Sequence, residues 1–126
     1  VMNFAEGTRF TPAKHRAQAS PYRHLLKPKA GALALALGAL GARFRSLVDA
    51  TIVYPGGIPT FWDFLCGRVP RVVVRLRQLE IPRDFCGADY GSDAAYRARF
   101  QQWLHQLWTE KDEQVGRLLA VPAAAR

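Results

Sequence analysis

Between Leu47 and Tyr54 the chain reads Leu-Val-Asp-Ala-Thr-Ile-Val-Tyr, a run rich in β-branched side chains that stops at Pro55-Gly56-Gly57. Such side chains lose rotamer freedom in a helix and pack well on a pleated surface, so the run predicts a strand. A nearly continuous apolar strand, broken only by Asp49, suits a parallel sheet covered on both faces. One strand cannot stand alone. Its expected companion is Arg68–Leu79, where Val72, Val74 and Leu76 alternate with Arg71, Arg75 and Arg77. Alternation predicts the aliphatic side inward and a basic face outward.

Helical signals flank these strands. Leu33, Leu37, Leu40 and Phe44 fall on one helical face within an alanine- and leucine-rich stretch, predicting a helix over 30–43 that ends near Gly41. A second helix is expected from Asp93, capped by Ser92, with Tyr96, Phe100, Trp103, Leu104, Leu107, Val115 and Leu118 as its buried stripe. Val1–Phe4 reads as a short strand. Pro12, Pro21 and Pro28 exclude a continuous helix over 10–28, which is expected to be a long loop with one helical turn. Phe61, Trp62, Phe64 and Leu65 read first as core packing beneath the sheet, with an acyl-chain wall or an edge dipping into lipid as the alternative. The fold class is therefore α/β, a mixed and mostly parallel sheet flanked by helices. Residues 1–120 form one unit and 121–126 a disordered tail.

The 126 residues suffice for one core, and 49% apolar content with three tryptophans argues against a disordered chain. The net charge is +8 and is uneven. Residues 1–29 hold six lysines and arginines against Glu6 alone, whereas residues 81–126 are balanced. A basic surface attracts anionic headgroups, phosphorylated small molecules or nucleic acid. No helix-turn-helix, RNA-binding-strand or zinc pattern occurs, so nucleic acid is not the expected partner. Cys66 and Cys86 lack metal-ligand spacing and are read as reduced thiols. The longest apolar stretch, Ala30–Ala42, falls short of the roughly 20 residues that span a bilayer.

The chemistry concentrates in Asn3-Phe4-Ala5-Glu6-Gly7-Thr8-Arg9-Phe10-Thr11-Pro12-Ala13-Lys14-His15. Arg9 offers a planar fork of donors matched to phosphate or carboxylate. Gly7 permits a positive φ or a close approach of the backbone, Thr8 adds a hydroxyl, and Glu6 is near enough to orient Arg9. Lys14 lies just beyond. By spacing alone these residues also describe an ordinary solvated turn.

The wider context resembles the third conserved block of the glycerolipid acyltransferases, the 1-acylglycerol-3-phosphate acyltransferase family. The resemblance continues through Leu25-Leu26-Lys27-Pro28-Lys29-Ala30-Gly31 and Leu47–Pro55, covering roughly the first half of the chain in three ordered blocks. It implies the C-terminal half of an acyltransferase domain. The implied activity is transfer of a fatty acyl group from acyl-CoA or acyl carrier protein to 1-acylglycerol 3-phosphate, giving phosphatidic acid, with no further cofactor and no metal. Arg9 would pair with the acceptor phosphate, Glu6 would position Arg9, Gly7 and Thr8 would shape the turn, and Lys14 would add charge. The implied setting is the cytoplasmic face of a membrane with an anionic surface.

The chain also departs from that pattern. Ala5 stands where proline is common. The family's general base is a His-x-x-x-x-Asp pair, and none of His15, His24 or His105 has an aspartate five residues later. A second block with its own phosphate-binding arginine is missing as well. His105 and Glu110 share the spacing but sit about 140° apart on a helix. The expectation is therefore a piece of a longer enzyme, inactive alone, with its base upstream of Val1. The alternatives are a non-catalytic phosphate- or anionic-lipid-binding module and a basic scaffold for nucleic acid. Sheet edges left unpaired would offer a route to self-association.

Overall fold

The structure, a computed structural model, describes residues 2–87 and 90–120. Helix α1 (Pro12–Ala17) starts at Thr11, whose Oγ1 accepts from the Lys14 N–H at 3.2 Å, with proline in the first turn where no amide is needed. Helix α2 (Ala30–Leu40) runs into a 3-10 turn at Gly41–Arg43. Strand β1 (Leu47–Val53), the short helix α3 (Phe61–Leu65) and strand β2 (Val73–Leu79) form a hairpin. After a 3-10 turn at Arg83–Phe85 the long helix α4 (Ala94–Ala120) closes the fold. Asp93 rather than Ser92 takes the capping role, its Oδ1 accepting from the Tyr96 N–H at 3.0 Å.

The core is built on α4. Tyr96, Phe100, Leu104, Leu107 and Trp108 recur at three- and four-residue spacing and bury one stripe against Ala34 and Leu37 of α2, Tyr22 and Phe85. Trp103 and Leu118 are half-buried, and Trp108 joins the stripe unannounced by the expected pattern. Gly41 lets the end of α2 meet this layer, because a methyl group there would lie 2.7 Å from the Cys86 Sγ. Both cysteines are free, Cys66 exposed and Cys86 half-buried.

The class is mixed α and β, but the sheet is not mostly parallel. It is a two-stranded antiparallel hairpin pairing Leu47 with Leu79 through Val53 with Val73. Directly paired residues share a face. Leu47, Asp49, Thr51 and Val53 therefore lie with Leu79, Arg77, Arg75 and Val73, and this face meets α4, where Val53, Val73 and Val115 pack together. The opposite face carries Val48, Ala50 and Ile52 beside Leu76 and Val74, and is open.

The expected facing of β2 is thus reversed. Charge complementarity outweighs the aliphatic pattern. Arg77 Nη1 reaches Glu110 Oε2 at 2.7 Å, Lys111 Nζ reaches Asp49 Oδ1 at 2.7 Å and the Ala50 carbonyl at 2.9 Å, and Thr51 donates to Gln114 at 3.3 Å. Both strands thereby face α4 with their polar residues. Met2–Phe4 form no strand, while Val1 and the 121–126 tail lie outside the described residues. Phe61, Trp62, Phe64 and Leu65 are exposed rather than core. Among the described residues no helix is long and apolar enough to cross a membrane.

Candidate functional site

The turn at residues 5–8 closes through the Gly7 N–H, which donates to the Phe4 carbonyl at 2.9 Å. Gly7 takes φ +71°, a conformation that glycine adopts without steric cost. The Lys29 amide donates to the Ala5 carbonyl at 2.6 Å, which brings the Leu25–Gly31 block against the turn. A methyl group at Gly7 would lie 3.2 Å from the Lys29 Nζ, so that ammonium rests beside the glycine. On the next residue, Thr8 Oγ1 accepts from Lys14 Nζ at 2.7 Å, and the same ammonium donates to the Arg9 carbonyl at 3.3 Å. Two lysines thus flank consecutive residues of one turn.

Arg9 itself is exposed, and no carboxylate among the described residues pairs with it. The expected Glu6–Arg9 contact is not made. Glu6 turns inward instead, its Oε1 accepting from the Leu26 N–H at 3.2 Å. The Trp108 indole N–H also favours this carboxylate, without closing a hydrogen bond of regular geometry. Gly7, Thr8, Arg9 and Lys14 are therefore brought together, and Glu6 is separated from them by its own side-chain direction. Lys29 is the member that reading the chain missed. Its signal lay in the Lys-Pro-Lys of the second block, where the proline holds the backbone extended.

Burial is the dominant influence on Glu6 and raises its pKa above the ordinary value of 4.5, against the opposing pull of Trp108, the Leu26 amide and Lys111. A raised carboxyl binds more protons folded than unfolded, so its contribution to stability is full below pH 4.5 and is lost as pH rises through the folded value. Glu6→Gln keeps an acceptor for Leu26 and removes that loss. Urea midpoints for this variant are expected to fall less than those of the parent as pH rises above 4.5. An unchanged pH profile would show that Glu6 is not held in a desolvating environment.

A second cluster lies on the other side of the 20–29 loop. The Tyr22 hydroxyl sits 2.6 Å from His105 Nδ1, and the His15 ring meets the Tyr22 carbonyl. Tyr22 and His105 border a shallow cleft of about 300 Å³ that also takes in Lys27, Tyr90 and Gln101. Asp112 accepts from the Arg23 and His24 amides at 2.9 and 2.7 Å, clasping the loop to α4. His105 is therefore engaged with Tyr22 and Glu110 with Arg77, leaving no His–Glu pair. No group of three metal-ligating side chains occurs among the described residues. Comparison of the chain with known protein families, curated proteins and solved structures finds no significant match.

Proposed function

We propose that this chain is the acceptor-binding part of a lysophospholipid acyltransferase, in which Arg9 holds the phosphate of 1-acylglycerol 3-phosphate while an acyl group arrives from acyl-CoA or acyl carrier protein. The observation that carries the reading is the cationic turn. Arg9 is exposed on a turn that carries two ammoniums, Lys14 at Thr8 Oγ1 and the Arg9 carbonyl and Lys29 beside Gly7, while Glu6 is drawn inward to the Leu26 amide. A guanidinium matches two phosphate oxygens at once, and lysines supply additional point charges. Glu6 acts here by anchoring the turn to Leu26 rather than by steering Arg9. In this reading the chain binds the acceptor; no His-x-x-x-x-Asp pair occurs in the 126 residues. A lipid acceptor implies work at the cytoplasmic face of a membrane.

Calorimetry with a short-chain, soluble lysophosphatidic acid tests this. Arg9→Ala is expected to weaken binding by about 30-fold, the size of one charge-assisted contact of about 2 kcal/mol. Lys14→Ala or Lys29→Ala should each cost less, because they act as screened charges. Affinity that survives Arg9→Ala would dismiss the reading.

A further inference from the structure

We propose that α3 and the open face of the β1–β2 hairpin dock on an anionic lipid bilayer, with Phe61, Trp62 and Phe64 entering its interface. This deepens the membrane-face reading above, but it rests on a surface separate from Arg9. Phe61, Trp62, Phe64 and Leu65 are each between 57% and 70% exposed. These four are every residue of α3 except Asp63, so the helix is apolar around its circumference. A protein groove covers one side of a helix, whereas a bilayer interface surrounds it. Ile58 continues the apolar surface before α3, and Val48, Ile52, Val74 and Leu76 extend it along the sheet, each at least half exposed.

Both ends of α3 are capped. Thr60 and Asp63 form a reciprocal capping box, with Asp63 Oδ2 accepting from the Thr60 amide at 2.9 Å and from its hydroxyl at 2.8 Å. At the other end Gly67, at φ +68°, closes the helix, and the Arg68 amide donates to the Asp63 carbonyl at 2.8 Å. A turn capped at both ends in this way leaves fewer polar groups to desolvate on entering an apolar medium. Asp63 is the sole acid between residues 54 and 76, and its charge is engaged by Thr60 and, at 3.6 Å, by Arg68. The exposed Arg68 and Arg71 leave this segment positive. Aromatic side chains at the headgroup level, rimmed by arginines, match an anionic bilayer. A second copy would instead bring its own arginine rim against this one.

The test uses the whole chain with sucrose-loaded vesicles of phosphatidylcholine, with and without phosphatidylglycerol. Vesicles containing phosphatidylglycerol are expected to sediment the protein, with binding falling as salt is added. Trp62→Ser with Phe64→Ser should weaken binding at least tenfold, and their exposed positions leave the fold intact by circular dichroism. Arg68→Gln and Arg71→Gln should each weaken it about fivefold, on the anionic vesicles only. Brominated lipid should quench emission in the parent and not in Trp62→Phe, whose remaining tryptophans, 103 and 108, lie in or against the core. Retained binding by the double variant, or equal quenching in Trp62→Phe, would overturn the proposal. So would a concentration-dependent dimer that the same substitutions dissolve, which would assign the face to a second copy. Arg9→Ala should leave vesicle binding unchanged, and the α3 variants should leave soluble lysophosphatidic acid binding unchanged, so either reading can fail without the other.

Discussion

Asp49→Ala is expected to lower the unfolding free energy by about 3 kcal/mol, the lower end of what removing one partner of a buried ion pair costs. Its side chain is nearly buried, and it faces Lys111 at 2.7 Å and Arg77 at 3.6 Å. The longer contact is an ion pair without a hydrogen bond, so Asp49 Oδ2 and Arg77 Nη2 are left without hydrogen-bond partners among the described residues. Removing the carboxylate strands the Lys111 ammonium, which lies between the Ala50 carbonyl and the Trp108 ring 4.9 Å away, and leaves Arg77 with Glu110 alone. The informative control is Asp49→Ala combined with Lys111→Met. Replacing both charges by apolar groups is often close to neutral, so the double variant should recover most of the loss. Urea unfolding at neutral pH reads both. A single variant within about 1 kcal/mol of the parent would mean that the pair does not hold the sheet to α4.

The second large effect is expected at Phe100. Its ring is fully buried among Phe85 at 5.0 Å, Trp103 at 5.5 Å, Tyr90 at 5.9 Å and Tyr96 at 6.0 Å between centroids. Phe100→Ala loses the transfer energy of the ring and leaves a cavity, together costing about 3–5 kcal/mol. Phe100→Leu keeps most of the volume and should cost about 1.5 kcal/mol or less. Thermal unfolding and the near-ultraviolet dichroism of the cluster should report the same order. Equal losses for the two variants would show that ring packing is not what holds this region.

These two positions mark how far the chain can be read unaided. Phe100 sits in a stripe whose spacing announces itself within α4, so α4 and most of its buried face were legible locally. The same holds for α2, whose alanine and leucine composition and spacing announced a helix. The facing of β2 was not legible. Its alternation gives two equally regular faces, and the choice depends on Glu110 and Lys111, which lie more than thirty residues away. The same distance problem hid Asp49, which looked like an interruption in an apolar strand and is the residue that meets Lys111. At the candidate site, the glycine turn and the clustering of Thr8, Arg9 and Lys14 were readable from adjacent residues. The inward rotation of Glu6 was not, because its surroundings are made by Leu26 and by Trp108, a full domain length downstream.

That inward carboxylate has a mechanical consequence. Glu6 reaches Leu26 and the Trp108 side chain, and the loop carrying Leu26 is fastened to the same helix by Asp112 and by the Tyr22–His105 contact. Among the described residues no strand pairs with the cationic turn, and its placement is inherited in large part from one long rod at the far end of the chain. Injury to the middle turns of that rod should displace the turn before any residue of the turn itself has been altered.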